Sequence, residues 1–226
     1  MIQLKSATEI TKIAASGAIV ARVLETVEQL VRPGVSTAEL DAAAHAIITG
    51  AGASPSFLGY GQPPFPGAIC TSIDHEVVHG IPSPNRILQE GSLISIDVGA
   101  CLDGYHADAA RTFTVGEVSA SILQLIRVTE ECFWRALAKA RAGARVGDLA
   151  SEIQRYAESH GYGVVRELTG HGIGRKLHES PDLPNYGRPG RGLRLEPGLV
   201  LAMEPMINMG TRHVKIRDDG WTIVTA

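Results

Sequence analysis

The sequence predicts an α+β domain made of two related halves, each an αα-then-β unit, with the sheets joined and the helices on one side. Three internal matches carry that reading. Arg32-Pro-Gly-Val-Ser-Thr-Ala-Glu-Leu40 resembles Arg141-Ala-Gly-Ala-Arg-Val-Gly-Asp-Leu149; His79-Gly-Ile matches His171-Gly-Ile; and Gly91-Ser-Leu-Ile-Ser-Ile-Asp97 matches Gly198-Leu-Val-Leu-Ala-Met-Glu204, with an acid in the same place. Chance gives one such match; three in register indicate duplication. The expected organisation is one catalytic domain over residues 1–226, with halves of about 1–116 and 117–226.

The elements follow in chain order. Ser6-Ala7-Thr8-Glu9 is a capping box, and Ile10, Ile13, Gly17, Val20, Leu24, Val27 and Val31 recur at steps of three and four, so a long amphipathic helix runs to Pro33-Gly34. Ser36-Thr37-Ala38-Glu39 caps a second helix, whose apolar face of Leu40, Ala43, Ala44 and Ile47 stops near Gly50 and Gly52. From Ser54 to Gly67, prolines and glycines break any helix, predicting a shaped loop that exposes Phe57, Tyr60 and Phe65. A strand over about Ala68–Ile73 leads through Val77-Val78-His79-Gly80-Ile81 to a hairpin. Beyond the hairpin, a longer helix and then a shorter one, ending near Gly161, repeat the first half.

That hairpin, Ser92–Val115, turns at Asp103-Gly104, a strong short-range signal. In its first strand Ile94, Ile96, Val98 and Ala100 alternate with Ser95, Asp97 and Gly99, so one face is core and the other carries a carboxylate. A two-residue loop pairs Leu102 with Tyr105, Gly99 with Asp108 and Asp97 with Ala110. Asp97 and Asp108 are then diagonal neighbours, roughly 7–8 Å apart at Cα. Two like charges so placed need a counter-charge; a metal supplies it, and Gly99 keeps the face between them clear. The plain alternative is a solvated face with two unrelated acids.

The remaining chain favours the metal. A pseudo-twofold axis brings equivalent positions together, so Asp97 and Glu204 converge, with His79 and His171 nearby. The set is Asp97, Asp108, His171 and Glu204, with His79 and His178 as further imidazoles. Oxygen-rich ligation with one or two histidines suits Mn, Fe, Co or Zn, and bridging carboxylates suit a pair of ions able to assist amide hydrolysis. His45, His75, His106, His160 and His213 read as ordinary structural histidines. Gly170, Gly172 and Gly174 around His171 let backbone approach closely.

Composition excludes several classes. An apolar share of 44% and a net charge of −3 in 226 residues describe a globular chain and argue against bulk nucleic-acid binding, although Arg188, Arg191 and Arg194 crowd one loop, read as solvated. Cys70, Cys101 and Cys132 are odd in number and unpatterned, unlike a disulfide framework, which points to a reducing compartment. The start lacks the apolar core of a signal peptide and no apolar run reaches spanning length, so a cytoplasmic protein without a membrane partner is expected.

The hairpin aspartates, the two HGI motifs, Gly170-His171-Gly172-Ile173-Gly174 through His178-Glu179, and Met203-Glu204-Pro205-Met206 resemble, in order and from the first helix to Ala226, the type I methionine aminopeptidases of bacteria. The resemblance implies a pita-bread fold, with a curved central antiparallel sheet and helices outside. It also implies a centre of two divalent metal ions (Co, Mn, Fe or Zn) and removal of the initiator methionine when the next residue is small. By position, Asp97, Asp108, His171 and Glu204 match metal ligands. His79 and His178 match the histidines that contact substrate and the tetrahedral intermediate. Tyr60, Phe65, Cys70 and Trp221 match walls of the methionine pocket, and Leu177 stands where the family usually has an aromatic residue. The implied partners are peptide N-termini, with a monomer expected and the ribosome left open. The family's last metal-bridging glutamate lies on a strand beyond Ala226, so the expectation is a centre one carboxylate short, with one ion or none held and impaired activity. Two alternatives stand beside this: a non-catalytic or truncated pita-bread protein that binds peptide N-termini, and a proline-specific peptidase.

Overall fold

The structure, a computed structural model, describes residues 2–226. The first half runs α1 (Ala7–Leu30), α2 (Thr37–Gly50), β1 (Ser54–Pro55), β2 (Ile69–Ile73), β3 (Glu76–Val78), β4 (Leu93–Leu102) and β5 (Tyr105–Thr114). The second runs α3 (Ala120–Leu137), α4 (Val146–Ser159), β6 (Gly163–Val164), β7 (Thr169–Gly172), β8 (Glu179–Pro184), β9 (Leu201–Ala202), β10 (Ile207–Asn208), β11 (Val214–Ile216) and β12 (Ile223–Thr225).

Both N-terminal helices start at the capping boxes read from sequence. Ser6 Oγ accepts the Glu9 N–H while the Glu9 carboxylate accepts the Ser6 N–H, and Ser36 and Glu39 repeat the exchange. Such a cap is worth about 1 kcal/mol. Ile13, Ile19, Val20, Val23, Leu24 and Val27 of α1 are buried, at about 1.5–3 kcal/mol each, so packing rather than capping holds the helix in place. The surface it covers is the β4–β5 hairpin, where Ile94, Ile96, Val98 and Ala100 are fully buried.

The hairpin register agrees pair for pair: Leu102 faces Tyr105, Gly99 faces Asp108 and Asp97 faces Ala110. On its far side β4 pairs with β2, setting Cys70 opposite Asp97. Gly99 plays a different part from the one expected. An added Cβ would lie 2.8 Å from both Phe57 and Ser56, and the Ser56 N–H donates to the Gly99 carbonyl at 2.9 Å. The glycine therefore admits the β1 segment instead of leaving the face clear. The Ser54–Gly67 loop also differs: Tyr60 is exposed, but Phe57 and Phe65 are buried, because the breakers fold both rings inward onto Cys70.

The duplication is written in the backbone. Gly34 and Gly143 take φ of 88° and 89°, Gly52 and Gly161 75° and 78°, and Gly91 and Gly198 88° and 93°. Gly34 and Gly143 donate to Leu88 and Leu195 at 2.9 Å each, and isolated bridges join Ser36 to Ile87 and Arg145 to Arg194. Among the described residues every strand pairing is antiparallel, and the strands are divided among four hydrogen-bonded sheets. The first is four-stranded. In the second half β9 has two residues, and Pro205, which lacks an N–H, stands between it and β10.

Candidate metal centre and substrate pocket

Four elements bring the acids and imidazoles together. β4 supplies Asp97, β5 supplies Asp108, β7 supplies His171, and the turn after β9 supplies Glu204. His171 Nε2 lies 3.1 Å from Glu204 Oε1 and 3.9 Å from Asp108 Oδ2, and the Asp97 and Asp108 carboxyls are close enough to share a hydrogen bond. The approach of β7 to Glu204 depends on glycine: a Cβ on Gly170 would sit 2.3 Å from the Ala202 carbonyl oxygen.

Burial dominates the electrostatics of the two aspartates. Burial pushes Asp97 up to about 7, with the Glu204 charge adding to it and the bond to Asp108 and the charge of His171 opposing. Burial and the neighbouring Asp97 and Glu204 charges hold Asp108 well above the carboxylate range. Burial works against the His171 imidazolium, but the contact with Glu204 outweighs it and raises the pKa.

The donor set fits a divalent cation. Three carboxylates and an imidazole suit hard or borderline metals. Asp97 Oδ1 and Glu204 Oε1 are buried without a hydrogen-bond partner. His171 Nδ1 lies 2.9 Å from the Gly172 carbonyl. With the proton on that nitrogen, the neutral ring turns a lone pair at Nε2 towards Glu204, and only a proton or a cation between them satisfies both. As they stand, the side chains touch one another. Among the described residues no three His, Cys, Asp or Glu groups are arranged around one point as ligands.

Two more histidines flank the acids. The His178 ring lies 4.1 Å from that of His171 and hydrogen-bonds through Nδ1 to the Tyr60 hydroxyl at 2.7 Å. Its outer side is open to solvent, yet desolvation of its inner side, with the charge of His171, brings its pKa down to about 4. His79, half-buried at a φ of 59°, stands edge-on to Trp221 with ring centroids 5.9 Å apart, and burial lowers its pKa. The Gly80 that follows is packed so tightly that a Cβ would come within 2.2 Å of the Thr71 carbonyl.

Beside the acids lies an apolar cluster of Phe57, Phe65, Cys70, Ile173 and Leu177, with Ile81, Val200 and Trp221 against it. Phe65 and Trp221 meet edge to face at 5.3 Å, and the Trp221 indole donates to the Pro63 carbonyl at 2.9 Å. Phe65, Cys70 and Trp221 thus belong to one cluster in which Cys70 lies opposite Asp97, and the exposed Tyr60 reaches His178. Leu177, which stands where the family usually has an aromatic residue, is buried within the cluster. Phe57 and Ile173 belong to it as well; the inward-facing loop hid the first, and the glycines around the second masked its packing. All three cysteines are free. His106, read as structural, bonds through Nδ1 to Ser56 Oγ at 2.9 Å.

The sequence profile described as "Metallopeptidase family M24" matches residues 11–224. The chain belongs to this family. The M24 chain is similar to the methionine aminopeptidase of Clostridium acetobutylicum, at 52% identity over 100% of this chain and 89% of that one. It is also similar to the crystal structure of the methionine aminopeptidase from Thermotoga maritima, with TM-score 0.97 and 40% identity over 100% of this chain and 90% of the other. The prolidase from Pyrococcus furiosus shares the fold alone: TM-score 0.79 and 24% identity, over 98% of this chain and 60% of that one. This M24 member has the pita-bread fold expected from its motifs. A metallopeptidase of this family works with divalent metal ions on peptide substrates. Among the described residues no helix is long and apolar enough to cross a membrane.

Proposed function

We propose that this protein is a methionyl aminopeptidase that hydrolyses the first peptide bond of chains beginning with methionine and a small second residue. The observation that carries the reading is the apolar cluster set directly against the acids: Cys70 pairs across the strands with Asp97, so the pocket wall and the centre share one face. A methionine side chain, apolar and polarizable, suits a pocket of aromatic, sulfur and aliphatic groups. Similarity to methionine aminopeptidases along the whole of this chain supports the same reading over proline-specific hydrolysis, for which the likeness is one of fold.

Asp97, Asp108, His171 and Glu204 would hold one or two divalent ions, with Co, Mn, Fe and Zn all compatible with this donor set. Bound there, such ions lower the pKa of water and polarise a carbonyl group. The chain's own residues do the rest. Tyr60, Phe65, Cys70 and Trp221 bind the methionine side chain and exclude water around the scissile bond. Hydrolysis adds water to the carbonyl carbon and returns a proton to the departing amine. His178 is neutral at working pH and is held by Tyr60, which leaves its other ring nitrogen to steady the carbonyl oxygen as negative charge develops. His79, whose pKa burial lowers, would pass the proton.

The test is release of free methionine from Met-Ala-Ser by protein loaded separately with each metal, beside Met-Leu-Ser and an X-Pro panel. Release from Met-Ala-Ser and not from the others is expected. Binding of Met-Ala-Ser by calorimetry without turnover under any metal would replace the enzyme with a binding protein.

A further inference from the structure

The segment before α1 carries a lysine whose side chain is only 4% exposed. Lys5 Nζ reaches Glu179 Oε2 at 2.6 Å across 174 positions of sequence, and Glu179 is itself 10% exposed. Glu179 follows His178 directly. Its other oxygen accepts the Lys176 N–H at 3.0 Å, so a single carboxylate clasps both the His178 loop and the N-terminal segment. The surroundings are shaped for this contact. A Cβ on Gly174 would lie 2.3 Å from Lys5 Cε, and one on Gly198 would lie 2.7 Å from the Lys5 carbonyl oxygen. The Lys5 N–H donates to the Gly198 carbonyl at 2.7 Å, and the Gly174 carbonyl accepts the His106 N–H at 2.7 Å.

Stability alone is a poor explanation for such a pair. Bringing an ammonium and a carboxylate out of water costs about what their attraction returns, whereas losing one partner leaves the other buried and uncompensated. What the pair does fix is direction, since consecutive Cα atoms are about 3.8 Å apart and anchoring Glu179 leaves His178 little freedom.

We propose that Lys5 is a positioning residue for catalysis: through Glu179, at the start of β8, it locks the loop 173–178 and so aims the His178 imidazole at the reacting carbonyl. The inference rests on the aminopeptidase reading, with His178 contacting substrate. Lys5 touches neither substrate nor metal ligand and acts through the loop.

A double-mutant cycle tests it. Lys5→Met, Lys5→Arg, His178→Ala and Lys5→Met/His178→Ala are compared for kcat and KM on Met-Ala-Ser, corrected for folded fraction and metal content. Lys5→Met is expected to lower kcat about tenfold with KM changed less than about twofold, and to cost less than about twofold more once His178 is absent. Lys5→Arg should recover most of the loss. An equal loss in both backgrounds would show a purely structural strap and overturn the proposal, as would an unchanged kcat. If Lys5→Met fails to fold, Glu179→Gln takes its place with the same expectations. Amide hydrogen exchange of metal-free protein gives an arm independent of turnover: faster exchange confined to residues 173–180 is expected, and unchanged exchange there contradicts the inference. A wild type that releases no methionine counts against the aminopeptidase reading, while the exchange arm still decides whether Lys5 holds the segment that carries His178.

Discussion

At the scale of single residues, His171 and His79 differ in what they face. His171 points its Nε2 at two carboxylates, whereas His79 stands against Trp221. His171→Ala should therefore weaken metal uptake by at least about tenfold, and His79→Ala should leave uptake intact and lower turnover. Equilibrium dialysis beside initial rates checks the split; equal metal content with equal rate loss contradicts it. Asp97 offers a separate test in metal-free protein. Its folded pKa of about 7 exceeds the ordinary value of about 3.9. The folded chain thus holds a proton that the unfolded chain releases, and this contribution to stability falls as pH rises through that window. Asp97→Asn should gain more than about 1 kcal/mol on wild type at pH 8 and nothing below about pH 4, by urea denaturation with chelator. A gap that does not widen with pH would show that Asp97 is not desolvated. The sequence showed that Asp97 and Asp108 share one face of the hairpin, because strand alternation and the Asp-Gly turn fix the register. Lys5 was invisible, because nothing local links a lysine to a carboxylate 174 positions away.

Among the elements, the β4–β5 hairpin was legible to the register, since an Asp-Gly turn leaves one pairing that buries every aliphatic residue. Both capped helices of the first half were legible for the same local reasons, and α4 was found only through its likeness to α2. The Ser54–Gly67 loop was misread, because breakers announce a loop without saying which way its rings turn, and Phe57 and Phe65 went inward. Gly99 records that packing. Gly99→Ala brings a methyl to 2.8 Å from Phe57 and should cost about 1–3 kcal/mol in urea denaturation. Gly50→Ala at the end of α2 meets nothing within 4 Å and should be neutral or stabilising by up to about 1 kcal/mol. Equal effects at the two glycines would refute the tight approach of β1 to β4.

For the whole molecule, duplication explains why acids distant in sequence lie close enough to feel one another's charge. Matched glycines at Gly34 and Gly143, and at Gly91 and Gly198, hold the two halves to the same path, and the path delivers Asp97 from one and Glu204 from the other. Sequence could reveal this because a repeat is visible without knowing any distance. It could not reveal that the strands of the described residues would divide among four hydrogen-bonded sheets, which depends on how few residues β9 and β10 leave for pairing. The most direct measurement is anomalous diffraction from crystals soaked in manganese. The account predicts strong peaks bounded by the side chains of Asp97, Asp108, His171 and Glu204. Manganese bound only elsewhere, with these four side chains still in contact with one another, would contradict it.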